Sequence, residues 1–342
     1  MLLFILPVSG GALVSQLAML QYTCECKIIP DIMMASSGGN VSAYIALASN
    51  WQWAAVKRIA SELDHSMFIA PWSNLPGVSP ITGYFNGDMY HQGSGVDEFF
   101  ERHFTAESIM NTEIWTGTYN KTQQKAQYFC NRKDSMLDMN ELNIEMLQCL
   151  PPVFSGGDID LISKYSVASA SIPALVQPQI LFNENYVDGG VFGASPISGM
   201  YNLVGNEKTL HMIYFNANNL ISPKTYTNNN MVDNMLHATS YLVRTQIIID
   251  RLSCYDIIKE KGEVKVVNFP CNYENMLRVK ELQSILNYSL LEIYPNDYYS
   301  VDIVTFNGND VSNMIDTAYK DLTCQFHWVV CEGVEPSGYF SQ

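Results

Sequence analysis

Three short blocks of the sequence place small residues around a candidate nucleophile, candidate oxyanion donors and a candidate base. Ala35-Ser36-Ser37-Gly38-Gly39 lies between an apolar run and an Ala-rich stretch. A serine with small neighbours at a strand-to-helix junction suits a tight turn that holds its hydroxyl in a strained, outward conformation. The helix start behind it supplies a positive field and unbonded backbone donors. The Gly38 N–H, next after the serine, is positioned to receive a developing oxyanion. Ser9-Gly10-Gly11-Ala12 closes the first apolar run in the same way, so the Gly10 and Gly11 amides form a second candidate donor set. Asp188-Gly189-Gly190 adds a carboxylate at the end of a short strand, followed by residues that let the backbone turn sharply, as a positioned general base requires. Each block has a plainer alternative: a Ser/Gly helix cap, a dinucleotide loop (though G-x-G-x-x-G is absent) and an Asp-Gly surface turn.

These residues need a scaffold, and the hydrophobic pattern supplies one. Leu2–Val8 is a continuous apolar run of the kind buried on both faces of a parallel sheet. From Ala12 to about Glu25 the period becomes helical, Ile28–Ala35 is a second strand, and Asn40–Ser49 a second helix. Strand–helix–strand–helix implies an α/β domain with a parallel sheet, whose carboxyl edge collects ligand sites. Further along, the pattern predicts a helix over Val96–Phe104, a hairpin turning near Asn120 and a helix or junction at Tyr165–Ala170. Two short strands should flank Asn183-Glu184-Asn185, with a helix starting at Ser195-Pro196 and a strand over Leu210–Ala217. A long helix follows from Met231 to Lys259, with Met235, Leu242 and Ile249 on one stripe. The remaining expectations are a strand over Glu263–Phe269, an amphipathic helix over 274–294, a last strand over Val301–Phe306 and a last helix over Asp310–Leu322. The Pro-, Gly- and aromatic-rich stretch from Met67 to Tyr90 reads as an irregular segment packed on the core or as the wall of an apolar cleft. No linker is evident, so one domain over 1–325 is expected, with an insertion around 66–150 and a tail over 326–342.

Composition narrows the function classes. The formal charge of −15 leaves no basic footprint for nucleic acid and no electrostatic gain at an anionic membrane. The opening MLLFILPVSGG lacks a positive n-region and meets glycines too early for a signal peptide or a span, so a soluble intracellular or cytoplasmic protein is expected. Eight cysteines show neither a C-x-x-C pair nor a histidine at ligand spacing, so reduced buried thiols are expected and no metal.

Taken in this order, the three blocks resemble the patatin-like phospholipase family, whose pattern is a glycine-rich oxyanion loop, G-x-S-x-G, and a later Asp-Gly-Gly or Asp-Gly-Ala. PDIMMASSGGNVSAYIAL is similar to the family's elbow, ASASIPALVQPQILFNENYVDGGVFGASP to the segment bearing its aspartate, and DVSNMIDTAYKDL more weakly to its closing helix. The resemblance implies a three-layer α/β/α fold with a mainly parallel sheet. It also implies a Ser37–Asp188 dyad, an oxyanion hole from Gly10, Gly11 and Gly38, an acyl-ester lipid substrate met in transient contact with a membrane surface, and no cofactor. The sequence departs from the pattern at Ser9 and Ala35, where the family has glycine, and at Leu13, where it often has a basic residue.

Two rivals stand beside this reading. A Ser-Asp-His triad is compatible with chain order, since His211, His237 and His327 follow Asp188. The altered oxyanion loop would also suit a fold kept for binding without catalysis. The acidic charge further predicts a preference for zwitterionic or neutral esters, with Phe68, Trp72 and Phe85 as the apolar residues that meet lipid.

Overall fold

A computed structural model describes residues 1–25, 28–71, 90–139, 149–200, 203, 210–217, 231–260, 290–293, 299–303 and 305–324. The chain opens with β1 (Leu2–Leu6), α1 (Leu13–Glu25), β2 (Ile32–Ser36), α2 (Gly38–Ala48) and α3 (Trp53–Ala60). Next come β3 (Ile69–Pro71), β4 (Tyr90–Gln92), α4 (Val96–His103), β5 (Glu113–Asn120), β6 (Lys125–Cys130) and β7 (Val153–Phe154). The second half holds α5 (Ile159–Ala170), β8 (Gln179–Leu181), β9 (Glu184–Asp188), α6 (Pro196–Gly199), β10 (His211–Phe215), α7 (Met231–Glu260), β11 (Leu290–Ile293) and α8 (Gly308–Cys324).

The main sheet runs β11-β10-β1-β2-β5-β6-β7, with β9 also on β5 and β8 on β9. Pairing is parallel from β11 through β5, while β6 and β9 run antiparallel to β5. β1 and β2 read as unbroken apolar runs because both faces are covered. Alternate residues divide between two cores: Phe4, Leu6, Met33 and Ile213 pack with α1, α2 and α5, whereas Leu3, Ile5, Met34 and Met212 pack with α6 and α7. Helices on both faces of a mainly parallel mixed sheet make the three-layer α/β/α fold.

Several elements follow from local chemistry. In α4, Val96, Phe99 and Phe100 face the core while Glu98, Glu101 and Arg102 face solvent. α5 starts at Asp158, whose carboxylate caps the Leu161 N–H at 3.1 Å. α8 buries Val311, Ile315 and Ala318, one helical stripe.

Other expectations are corrected. Val301–Phe306 is not a strand: the Thr305 and Phe306 N–H groups turn back onto Asp302 O, and Val301 N–H is taken by Gly11 O at 3.1 Å. Val301 and Phe306 are buried, and the described residues of this segment have no ladder partner among the described residues. At the end of the expected 274–294 helix, residues 290–293 are β11, a parallel partner of β10; residues 274–289 and the 263–269 strand lie outside the described residues. α7 is long, as expected, but Leu242 and Ile249 face outward and the buried side is Ile247, Cys254 and Ile257. Ser195 precedes α6 with Pro196 at its first position, yet the helix lasts one turn and the Ser195 hydroxyl makes no cap. α3 was not expected. Phe68 turns inward against the core, while Trp72 and Phe85 lie outside the described residues. Cys24, Cys130, Cys149 and Cys254 are buried thiols outside any disulfide. Among the described residues no helix is long and apolar enough to cross a membrane.

Candidate active site

β5 serves as the ruler of the site. β2 pairs along the first part of one β5 edge and stops with Ser36 opposite Gly117. β9 takes over the same edge, with Asp188 opposite Thr118, the next residue. Two segments distant in sequence are therefore set one strand position apart, at the carboxyl edge of the parallel strands.

Ser37 occupies the turn from β2 into α2 with φ 54° and ψ −129°, a sparsely populated conformation for a residue with a side chain. Such a backbone costs about 1–3 kcal/mol and persists only where its surroundings hold it. The holding group is Ser169 on α5. Its hydroxyl accepts the Ser37 N–H at 2.9 Å and donates to Gly117 O at 2.8 Å, so one side chain ties the elbow to β5. Asn40 adds a second tie, because Thr116 Oγ1 on β5 donates to Asn40 Oδ1 at 2.5 Å in the first turn of α2.

Asp188 is completely buried. Its backbone N–H donates to Ser171 O at 2.9 Å, and its Oδ1 accepts the Gly190 N–H at 2.8 Å. Burial pushes the carboxyl from an ordinary 3.8 up to about 7, and the neighbouring Ser37 hydroxyl, with the Gly190 and Val191 N–H groups, holds it from rising further. Oδ2 accepts no hydrogen bond of regular geometry among the described residues. A buried carboxylate with one oxygen fixed and the other open beside a serine hydroxyl is poised to take that hydroxyl's proton.

Of the candidate oxyanion donors, Gly10 and Gly38 are in contact. Gly10 has φ +52° and opens a short 3-10 turn through Ala12, whose N–H bonds Ser9 O at 3.0 Å. A Cβ on Gly38 would sit 2.5 Å from Ser9 Oγ and 2.7 Å from Gly10 O, so glycine at 38 lets the loop close on the elbow. Both glycines start helical turns, where N–H groups have no intrahelical acceptor. Gly11 lies beside them, packed under Ser300 and Val301.

The three predicted blocks thus meet at one sheet edge. The chain also matches the family model for patatin-like phospholipases over residues 9–201, more than half its length. The chain belongs to the patatin-like phospholipase family. No curated protein matches it. Within this patatin-like frame the loop's departure from glycine is absorbed locally. Ser9 Oγ donates to Gln16 Oε1 at 2.9 Å, and Gln16 Nε2 donates to Pro7 O at 2.9 Å and Phe215 O at 3.2 Å. Leu13, where many patatin-like chains carry a base, is buried at the start of α1.

The triad histidines fare differently. His211 begins β10 opposite Leu2, at the amino edge of the sheet and so at the far end from Ser37. His237 lies within α7 and His327 outside the described residues. Among the described residues no group of three or more His, Cys, Asp or Glu converges as metal ligands would.

Sequence reasoning missed Ser169, Gln16 and Asn40. Gln16 gave a signal, a lone amide inside the Leu13/Leu17/Leu20 stripe. Ser169 gave none, since its partner is 132 positions away.

Proposed function

We propose that this protein is a lipid acyl hydrolase that cleaves carboxylic esters through Ser37 and Asp188. The observation that carries the reading is the buried Asp188 carboxylate beside the Ser37 hydroxyl, both fixed by β5. Asp188 accepts the serine proton as Oγ attacks the ester carbonyl carbon, and the Gly10, Gly11 and Gly38 amides hold the tetrahedral oxyanion. Each such donor contributes about 3 kcal/mol to lowering the barrier. Collapse expels the alcohol, which takes the proton from Asp188 and leaves an acyl-serine. Water gives a proton to the same carboxylate as it attacks the acyl carbon, and collapse returns that proton from Asp188 to the departing Ser37 Oγ, freeing the acid and restoring the serine hydroxyl. No metal or cofactor enters any step.

Substrate is an acyl-ester lipid met at a membrane surface, and the −15 charge favours zwitterionic or neutral lipid over anionic lipid. The test is a fluorophosphonate probe together with phosphatidylcholine hydrolysis, on wild type, Ser37→Ala and Asp188→Asn. Labelling and fatty-acid release should both vanish in Ser37→Ala, and release should fall steeply in Asp188→Asn. An unlabelled wild type that releases no fatty acid would leave a binding fold in place of an enzyme.

A further inference from the structure

The β8–β9 hairpin carries exposed apolar residues where solvent exposure has no structural use. Ile180 is 63% exposed on β8, and Phe182, at the tip, is 60% exposed. The two tip residues, Phe182 and Asn183, have φ 52° and 61°, both positive, as in the mirror-image turns that favour Asn-Gly. Asn183 suits this backbone, but a bulky Phe does not. The chain keeps a large apolar side chain, bent against its own preference, in water.

The direction of the hairpin supplies its use. β9 continues along β5 beyond the end of β2, pairing Tyr186 with Asn120, so its tip projects past the sheet edge that holds Ser37. At about 3.3 Å per residue the tip stands roughly 15 Å beyond Asp188. The β5–β6 turn is tied to it: Lys121 N–H donates to Asn185 O at 2.7 Å, and Asn185 N–H to Thr122 Oγ1 at 2.9 Å. That turn exposes Lys121 and Lys125, while Glu184 is engaged by Asn120 and Gln123. Between tip and site, Phe192 is 47% exposed and stacks on Tyr119 with centroids 4.5 Å apart.

We propose that this hairpin tip, Phe182 with Ile180, is an interfacial anchor that seats the Ser37 edge on a zwitterionic phospholipid surface. The aromatic ring enters the headgroup–acyl boundary, and the two lysines, carried on apolar stems, meet lipid phosphates. The strongly acidic remainder of the chain disfavours anionic membranes, which selects zwitterionic lipid as the occupant. The purpose of the anchor rests on the hydrolase reading, whereas its binding requires no catalysis.

The test is partition of the full chain onto phosphatidylcholine vesicles, alongside turnover of a water-soluble short-chain ester and thermal melting, for wild type, Phe182→Asn and Ile180→Thr. Asn accepts the positive φ, so Phe182→Asn should melt at or above the wild-type temperature and turn over the soluble ester normally. Its vesicle partition should be about tenfold weaker, the loss expected from one apolar ring. Ile180→Thr, which keeps a β-branched residue in the strand, should weaken partition with the fold intact. A wild type that binds vesicles through Phe182 yet cleaves no ester would sink the hydrolase reading and leave the anchor standing. Wild-type partition unchanged in both variants would overturn the anchor. So would a wild-type dimer that Phe182→Asn splits without altering vesicle binding, which would assign the tip to a second copy.

Discussion

The Ser37 N–H and the Ser169 hydroxyl meet at 2.9 Å, and through that contact α5 holds the elbow in its strained conformation. Ser169→Ala leaves the buried Ser37 N–H without its partner and Gly117 O without its donor. Such losses cost about 1–3 kcal/mol. The variant should melt lower, and kcat on a soluble ester should fall at least about tenfold while KM changes little, because the nucleophile is displaced and the binding surface is not. Stopped-time hydrolysis at saturating ester checks this.

Asp188 sets a pH dependence. With its carboxyl near 7, esterase kcat/KM should fall with decreasing pH through neutrality, far above the ordinary carboxylate range. A pH–rate profile with its acid limb near 4 would contradict the assignment.

The same carboxyl affects stability in the opposite sense. Its folded value lies above its unfolded value, so the folded state binds more protons between about 4 and 7 and loses stability as pH rises through that window. Asp188→Asn removes the burden. The variant should be more stable than wild type at pH 8 by up to about 4 kcal/mol, the equivalent of the full shift. The advantage should disappear by pH 4, as denaturant melts at both pH values will show. Asp250, also buried and raised to about 6, is common to both proteins and cancels in the comparison.

Gly38→Ala introduces a Cβ 2.5 Å from Ser9 Oγ and pushes the donor loop off the elbow. Loss of a positioned oxyanion donor costs roughly 10²–10³ in kcat. Fluorophosphonate labelling should slow in parallel, because the proposed oxyanion amides would also receive the phosphonyl oxygen.

Gln16→Leu leaves Ser9 Oγ, Pro7 O and Phe215 O short of a partner. It should destabilise by about 1–3 kcal/mol. Adding Ser9→Gly removes one orphan and should return part of the loss, so a double-mutant cycle by thermal melting should show coupling.

The elements that carry the site were readable wherever a local pattern determined them. β1, β2 and the elbow follow from apolar runs ending in small residues, and the hairpins from alternation broken by turn residues. Val301–Phe306 misled because its alternation records burial under α1 and beside the loop, not a ladder. Leu242 and Ile249 misled because α7 carries apolar residues on more of its circumference than it buries. The candidate nucleophile, base and donor loop were visible as motifs, but their supports were not. Ser169 and Gln16 act by side-chain hydrogen bonds that join separate segments, Ser169 linking Ser37 to Gly117 and Gln16 linking Ser9 and Pro7 to Phe215, and no spacing rule foreshadows such contacts.

Because Gly117 and Thr118 are adjacent in one chain, the gap between candidate nucleophile and base is set by covalent bonds instead of by how two helices happen to dock. That spacing leaves to Ser169 on α5 only the orientation of the elbow. A single residue deleted from this strand should do what many surface changes cannot: leave a folded molecule whose candidate nucleophile and base no longer face each other.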